Sequence, residues 1–188
     1  MKTYHRFFIA FLSLCIICCG CGYHAGQGSH LSPYRTISIP YVKGDWDGTM
    51  TAELVKQVSQ SGTLTYVHDH GSLVLNVQLI DMYDENVGFR YDRSKHGEVK
   101  KAIIPSETRL FAVAEVSLTE AGTGRIILGP VRLSADTVFD HDYYTVRDGV
   151  NVFSLGQVTD YDEAEDAAQR PLHARLASKI VDFINNSW

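Results

Sequence analysis

Two short segments place histidine beside carboxylates, at spacings that metal sites use. His68 and His70 are two residues apart, which would put both imidazoles on one side of a strand, and His141 lies between Asp140 and Asp142. Imidazole and carboxylate groups are common ligands of Zn²⁺ and similar ions. Neither segment has a third ligand at a fixed spacing, and polar turns explain both without a metal. We therefore predict no metal site and no cofactor.

The remaining acidic and catalytic patterns do not point to an enzyme. The acidic run at 160–166 lacks the glycine and terminal glutamate of a calcium loop, and a helix dipole is enough to explain negative charge near a helix start. The sequence has no nucleophile elbow, Walker loop, dinucleotide fingerprint or zinc-protease motif. We expect a protein that is not an enzyme. The alternative from another class is a lipid-anchored hydrolase whose site is dispersed along the chain.

The cysteines are confined to the N-terminus, where the sequence is typical of a signal peptide. Residues Lys2, His5 and Arg6 form a basic start, and thirteen residues without a formal charge follow. Such a run suits a signal-peptide core and is short for a membrane span. No cysteine follows position 21, which excludes a disulfide framework and a cysteine-based zinc site from the folded domain. The four cysteines are Cys15, Cys18, Cys19 and Cys21.

The segment that ends the apolar run resembles a bacterial lipobox. Gly20 is the small residue that precedes the acceptor, so we predict lipidation at Cys21. Because Cys18 stands where an aliphatic residue is usual, Cys19 is a second candidate acceptor. An ordinary signal peptide or a membrane anchor is the alternative. The predicted organisation is a signal peptide over 1–20, a tether rich in Gly, Ser and His over 21–34, and one domain over 35–188.

Charge excludes one class of partner and singles out one segment. Removing residues 1–20 would leave 15 of the 17 bases against 22 acids, a charge of −7, so we expect no nucleic-acid binding. Five of those bases lie within twelve residues, where they could contact phosphates of a lipid head group. A solvated hairpin tip is the alternative explanation of this cluster. Its members are Arg90, Arg93, Lys95, Lys100 and Lys101.

Hydrophobic periodicity predicts an α+β domain. Alternation favours strands over 36–41, from Leu73 to Ile80, from about Glu107 and from Ile126, with an optional short strand over 64–67. A helix is predicted over 49–60. A second apolar stripe, from Leu172 onward, predicts a C-terminal helix. Pro171 would either kink a helix that begins near Asp162 or stand in the first turn of a new one. Residues 83–101 have no periodicity and are interpreted as a polar loop. The predicted architecture has two layers: a mixed or antiparallel sheet of about four strands with both helices on one face.

The order of these elements and several short strings resemble the LptE family of lipopolysaccharide-assembly lipoproteins. The matching features are the predicted mature start Cys21-Gly22-Tyr23, the strings at 107–110 and 114–118, a turn containing glycine, Pro130 and the segment 140–144. The resemblance implies two helices packed on a four-stranded sheet. It also implies a non-catalytic protein, anchored by lipid at the periplasmic side of the outer membrane.

The resemblance further implies two partners. One is a large outer-membrane barrel of the LptD type, in which such proteins sit as a plug, and the other is lipopolysaccharide. If the resemblance holds, the five clustered bases are the candidate lipopolysaccharide-binding residues. The alternative within the same compartment is another outer-membrane lipoprotein, such as a secretin pilotin or an activator of a cell-wall synthase.

Overall fold

A five-stranded mixed sheet with two helices forms the fold, as the computed structural model of the protein describes it. The described residues are 31, 33–94, 96–143, 146–147, 150–151 and 160–186. The elements are β1 (Thr36–Ser38), α1 (Thr49–Ser61), β2 (Thr65–Tyr66), β3 (Leu73–Arg93), β4 (Val99–Glu120), β5 (Ile126–Asp140), β6 (Val146–Arg147), β7 (Val150–Asn151) and α2 (Tyr161–Asn186).

The sheet has the strand order β2-β1-β3-β4-β5. Strand β1 runs parallel to both of its neighbours, whereas β3, β4 and β5 form an antiparallel meander. The predicted α+β class and mixed sheet are confirmed. The strand that exceeds the predicted four is β2, the optional short strand of the sequence analysis. Strands β6 and β7 form a separate two-stranded hairpin.

Helix α1 forms where the apolar stripe predicts it. Met50, Leu54 and Val58 recur every four residues and are buried, so one face of the helix joins the core. Gly62 ends the helix in the left-handed conformation, which glycine adopts without steric cost.

Helix α2 is one continuous helix with Pro171 in its interior. The predicted stripe is confirmed, because Leu172, Leu176 and Ile180 are fully buried and Phe183 is partly buried against the same core. Neither α1 nor α2 has the length together with the apolar character that a bilayer crossing demands.

Strand β4 carries the centre of the core. From Thr108 to Leu118 every second residue of β4 is buried, as the alternation predicts. The packed domain also reaches into the range predicted as tether, because Leu31 is fully buried and the Tyr34 hydroxyl donates to Glu120 Oε1 at 2.9 Å. The buried apolar β4 residues of this stretch are Leu110, Ala112, Ala114, Val116 and Leu118.

The interpretation of residues 83–101 as a loop is wrong. Strand β3 continues to Arg93, β4 begins at Val99, and only a short turn separates them. Four register irregularities interrupt the pairing of the two strands, and both faces of this part of β3 are exposed along most of its length. The alternation of buried and exposed residues that marks a strand in sequence is therefore weak here.

Gly129-Pro130 interrupts the pairing of β5 at the edge of the sheet. Strand β5 is the last strand of the sheet, and its register against β4 shifts between Val116 and Leu118, which face this dipeptide. Proline lacks an amide donor, so an edge strand tolerates it.

Candidate functional site

The far ends of β3 and β4 form a two-stranded extension of the sheet, which we call the distal ribbon (residues 89–93 and 99–105). Strand β5 pairs with β4 only from Glu107 onward. On the other side, backbone hydrogen bonds from the β1 side reach β3 only as far as Leu79. Within the described part of the chain, the distal ribbon therefore has no neighbouring strand on either edge.

One face of the distal ribbon, the outer face, exposes large apolar side chains. Tyr91 pairs with Ile103 and Phe89 with Pro105, so these residues share a face. The side chains of Phe89, Tyr91 and Ile103 are 60%, 61% and 63% exposed, and that of Val99 is 56% exposed. Four large apolar side chains this exposed on one face form an apolar patch. Such a patch is more typical of a binding surface than of a surface that faces only solvent.

The opposite face of the distal ribbon, the inner face, holds two ion pairs. The Arg90 guanidinium contacts the buried carboxylate of Asp142, which follows β5. The Lys100 ammonium lies 3.0 Å from Oδ2 of Asp92, which is also buried. Each of these two predicted cations is therefore paired with a buried carboxylate.

The other predicted cations lie on the outer face or outside the described residues. Arg93 pairs in register with Val99, and Lys101 lies two residues from Val99 and from Ile103, so alternation places both cations beside the apolar patch. Both are exposed. The Arg93 guanidinium donates to the Gly97 carbonyl at 3.1 Å. The fifth candidate, Lys95, lies outside the described residues.

A buried hydrogen-bond relay secures the base of the distal ribbon. The Thr108 hydroxyl donates to Oδ1 of Asn86 at 2.9 Å, so its oxygen is left to accept from Nε2–H of His141, also at 2.9 Å. Thr108 and His141 are both buried. The relay thus links β3, β4 and the residue that follows β5.

The rings of Phe139 and Tyr161 pack against His141 of this relay. His141 and Tyr161 meet edge to face with centroids 5.0 Å apart, and Phe139 lies 5.6 Å from Tyr161 and 5.9 Å from His141. Burial and a hydrogen bond to Asp84 raise the pKa of Tyr161 to about 12, so its hydroxyl stays protonated. This cluster fixes the start of α2 to the base of the distal ribbon.

The two histidine segments lie in different surroundings. His141 serves the structural relay, and Asp142 holds Arg90. The side chains of His68 and Asp69 are 89% and 74% exposed, as in a polar turn. Among the described residues, no three histidine, cysteine, aspartate or glutamate side chains are grouped as metal ligands would be. The predicted lipidation residue Cys21 and its alternative Cys19 lie outside the described residues.

A second buried histidine connects the two helices. The Thr49 hydroxyl donates to Oδ1 of Asp47 at 2.8 Å, which leaves its oxygen to accept from Nδ1–H of His173 at the same distance. Within the described part of the chain, the buried Nε2 atom of His173 has no hydrogen-bond partner. Burial lowers the pKa of His173, so its imidazole remains neutral near pH 7.

Comparison with known proteins finds similarity in fold alone. No protein-family model matches the chain, and no curated protein matches it in sequence. A minor lipoprotein from Acinetobacter baumannii is similar in structure, with a TM-score of 0.51 and 17% identity over 82% of this chain and 92% of that one. Rare lipoprotein B from Shewanella oneidensis aligns with a TM-score of 0.48 and 12% identity, over 81% and 96% of the two chains.

Sequence reasoning found the cations of the distal ribbon and missed its apolar residues. The signal was present, because Phe89 and Tyr91 are two residues apart, as in a strand, and Val99 and Ile103 are four apart. The charges around them obscured it. The ion pair of Arg90 had no sequence signal, because the acid that Arg90 contacts lies 52 residues away.

Proposed function

We propose that this chain is a lipid-anchored outer-membrane protein that assists lipopolysaccharide assembly as the partner and plug of an LptD-type barrel. Three features support the proposal. The N-terminus has the sequence of a lipoprotein signal with Cys21 as acceptor, the element order resembles the LptE family, and the fold is similar to that of the Acinetobacter baumannii minor lipoprotein.

The outer face of the distal ribbon is the observation that carries this proposal. Lipopolysaccharide presents phosphates next to acyl chains. Arg93 and Lys101 offer charge-assisted hydrogen bonds to phosphate, and the exposed side chains of Phe89, Tyr91 and Ile103 offer apolar contact beside them. The alternative, a solvated hairpin tip, explains the charges of this face but not its four exposed apolar side chains.

The length of the domain supports the role of a plug. Strand β3 has 21 residues and spans about 65 Å at 3.3 Å per residue. The N-terminal segment meets the sheet where Tyr34 bonds Glu120, which pairs with Leu73 at the start of β3. The distal ribbon is at the other end. A hydrocarbon core is about 30 Å thick, so a sheet of this length could extend across it. Because open strand edges are not tolerated in lipid, a sheet that crosses the core needs an enclosing protein.

Lipopolysaccharide binding by two matched double variants tests the proposed surface. R93Q/K101Q should weaken binding of purified unlipidated domain at low ionic strength, and added salt should reduce the difference from wild type. The control K56Q/R132Q removes two exposed cations elsewhere and should bind as wild type does. Adding Arg90→Gln and Lys100→Gln to the first variant should weaken binding little further. Wild-type binding by R93Q/K101Q would reject this surface.

Copurification tests the partner. The full-length protein with a C-terminal tag should retain an LptD-type barrel from outer membranes of its own organism. Retention of a secretin or of a cell-wall synthase in place of the barrel would reject the proposed role in favour of the corresponding alternative.

Mass spectrometry of the mature N-terminus tests the anchor. We expect residues 1–20 to be absent and Cys21 to be acylated. An intact Met1, or an unmodified N-terminus beyond residue 21, would contradict the lipoprotein assignment, and acylation at Cys19 would move the anchor by two residues.

A further inference from the structure

The loop between β1 and α1 exposes a tryptophan almost completely. Trp46 is 97% exposed, the largest value among the exposed large hydrophobic residues that the structure describes, and the nearby Tyr41 is 60% exposed. Tryptophan has a large, mostly apolar side chain. Because Trp46 is almost fully exposed, the isolated domain buries almost none of this apolar surface. Such a residue calls for a partner.

A buried carboxylate holds this loop in one conformation. Oδ2 of Asp45 accepts hydrogen bonds from the Thr51 amide at 2.8 Å and the Thr51 hydroxyl at 2.6 Å, and its Oδ1 accepts from the Gly48 amide at 3.1 Å. The Thr51 hydroxyl oxygen in turn accepts from the Val42 amide at 3.2 Å. Trp46 therefore projects from a fixed loop.

The start of the loop is tied to the sheet. The Lys43 amide donates to the Val77 carbonyl at 3.1 Å, and the Leu79 amide donates to the Lys43 carbonyl at 2.8 Å. Gly44 has φ of +86°, and a Cβ atom there would lie 3.2 Å from Leu79 Cβ and from its carbonyl oxygen. Only glycine allows the loop to approach the sheet this closely.

We propose that Tyr41 and Trp46 form a contact of this protein with the inner wall of its barrel partner. This inference rests on the proposed function. The loop lies beside Val77 and Leu79 in the first third of β3, between the tether end and the distal ribbon, and an enclosing wall would be met at this flank. A rigid tryptophan loses little conformational freedom on binding and is the residue type most enriched at interface hot spots.

Charge favours a protein wall over a lipid surface as the occupant. Asp47, next to Trp46, is exposed, and its hydrogen bonds from the Thr49 amide and hydroxyl lower the pKa of its carboxyl, so it is ionised. A carboxylate at this place is repelled by anionic head groups, whereas a protein pocket with a cationic rim would attract it.

A cleft next to Tyr41 offers room for a side chain of the wall. Its volume is about 230 Å³. It opens between the segment that follows β1 and one face of β3 and β4, so a partner side chain could enter beside the tyrosine ring. The cleft is lined by Pro40, Tyr41, Lys43, Asn76, Val77, Gln78, Glu115 and Ser117.

The test uses the tagged full-length protein and the LptD-type barrel of its own organism. Trp46→Ala should lower the affinity for the barrel at least tenfold without changing the melting temperature of the domain, and Trp46→Phe should lower it less. Ile126→Ala removes a 56% exposed side chain at the tether end of the sheet and should leave affinity within twofold. A photocrosslinker at position 46 should form an adduct with the barrel, and one at position 126 should not.

The outcomes separate this inference from the proposed function. If the barrel copurifies but Trp46→Ala binds as wild type, or position 46 does not crosslink to it, the contact is rejected and the proposed function stands. Loss of binding to phosphatidylglycerol vesicles by Trp46→Ala, with barrel affinity intact, would assign the loop to a membrane and also overturn the inference. If the wild type retains no barrel, the proposed function fails and the inference fails with it.

Discussion

The first third of β3 and its remaining two thirds differ in what buries them. From Leu73 to Leu79 the strand alternates between the core and the other face, with helices of the same chain covering the core face. From Ile80 to Arg93 nearly every side chain is exposed, and the buried residue Asp92 is charged. One strand thus supplies the domain core in its first third and an accessible surface in the rest.

The packed core and the exposed apolar surface are therefore separated along the sheet. Apolar contacts among the sheet and the two helices hold the first third of β3 in the core. Hydrogen bonds and ion pairs hold the distal ribbon, through the Thr108–His141 relay and the pairs of Arg90 and Lys100. Because these polar contacts secure the ribbon, its apolar side chains remain available for a partner.

The largest expected effect comes from comparing a carboxylate placed in the helix-covered core with one placed in the distal ribbon. Ile180→Asp buries a charge at a fully buried position, where removing the apolar side chain alone costs about 2–5 kcal/mol, so the unlipidated domain should not accumulate. Ile103→Asp, at a 63% exposed position, should leave yield and unfolding free energy within about 0.5 kcal/mol of wild type. Equal losses in chemical denaturation would show that the ribbon is as integral to the core as α2.

The next effect concerns the relay at the base of the ribbon. Thr108→Val keeps the shape of the side chain but removes its hydroxyl, which leaves the buried Nε2–H of His141 without its acceptor. The expected loss of unfolding free energy is about 1–3 kcal/mol. Faster amide exchange in the distal ribbon than in β4 near Ala114 would localise the loss. An unchanged stability would mean that the ring cluster alone fixes this junction.

The third effect is a pH dependence that arises in the helix-covered core. The pKa of His173 is lower in the folded protein than its ordinary value of 6.5, so the unfolded chain binds more protons and stability is lost as pH falls below about 6.5. The slope from this group is at most about 1.4 kcal/mol per pH unit.

His173→Asn keeps an N–H donor for Thr49 and removes the titration, so denaturation between pH 5 and pH 7 should show a smaller slope than wild type. His68→Asn, at an exposed position, is the control and should not change the slope. A wild-type slope in the His173 variant would assign the acid sensitivity to other groups.

The smallest effect compares two neighbouring lysines of the distal ribbon. Lys100→Gln removes the partner of the buried Asp92 carboxylate and should cost roughly 1 kcal/mol, because the lysine itself is half exposed. Lys101→Gln should change stability by less than about 0.5 kcal/mol. For lipopolysaccharide binding the order should reverse, with Lys101 the more important. If Lys100→Gln had the larger effect both on thermal unfolding and on lipopolysaccharide binding, the separate roles of the inner and outer faces would be contradicted.

Elements with one face buried by the same chain were predictable from the sequence alone. The stripe from Leu172 to Ile184 and the alternation from Leu110 to Leu118 predict α2 and β4 because burial of one face imposes the period of the element on the sequence. The turn at Gly62 was also predictable, since a left-handed residue at a helix end favours glycine.

The extent of the strands beyond the core, and the face on which each basic residue of the cluster lies, follow from tertiary contacts that the sequence pattern does not encode. Residues 83–101 carry little periodicity because neither of the helices that the structure describes imposes a buried face on them. Adjacent lysines 100 and 101 are alike in sequence, yet the pleat turns one to Asp92 and the other to the apolar patch. Arg90 meets its acid across 52 residues of chain, and contacts at such separations follow from the path of the backbone rather than from local pattern.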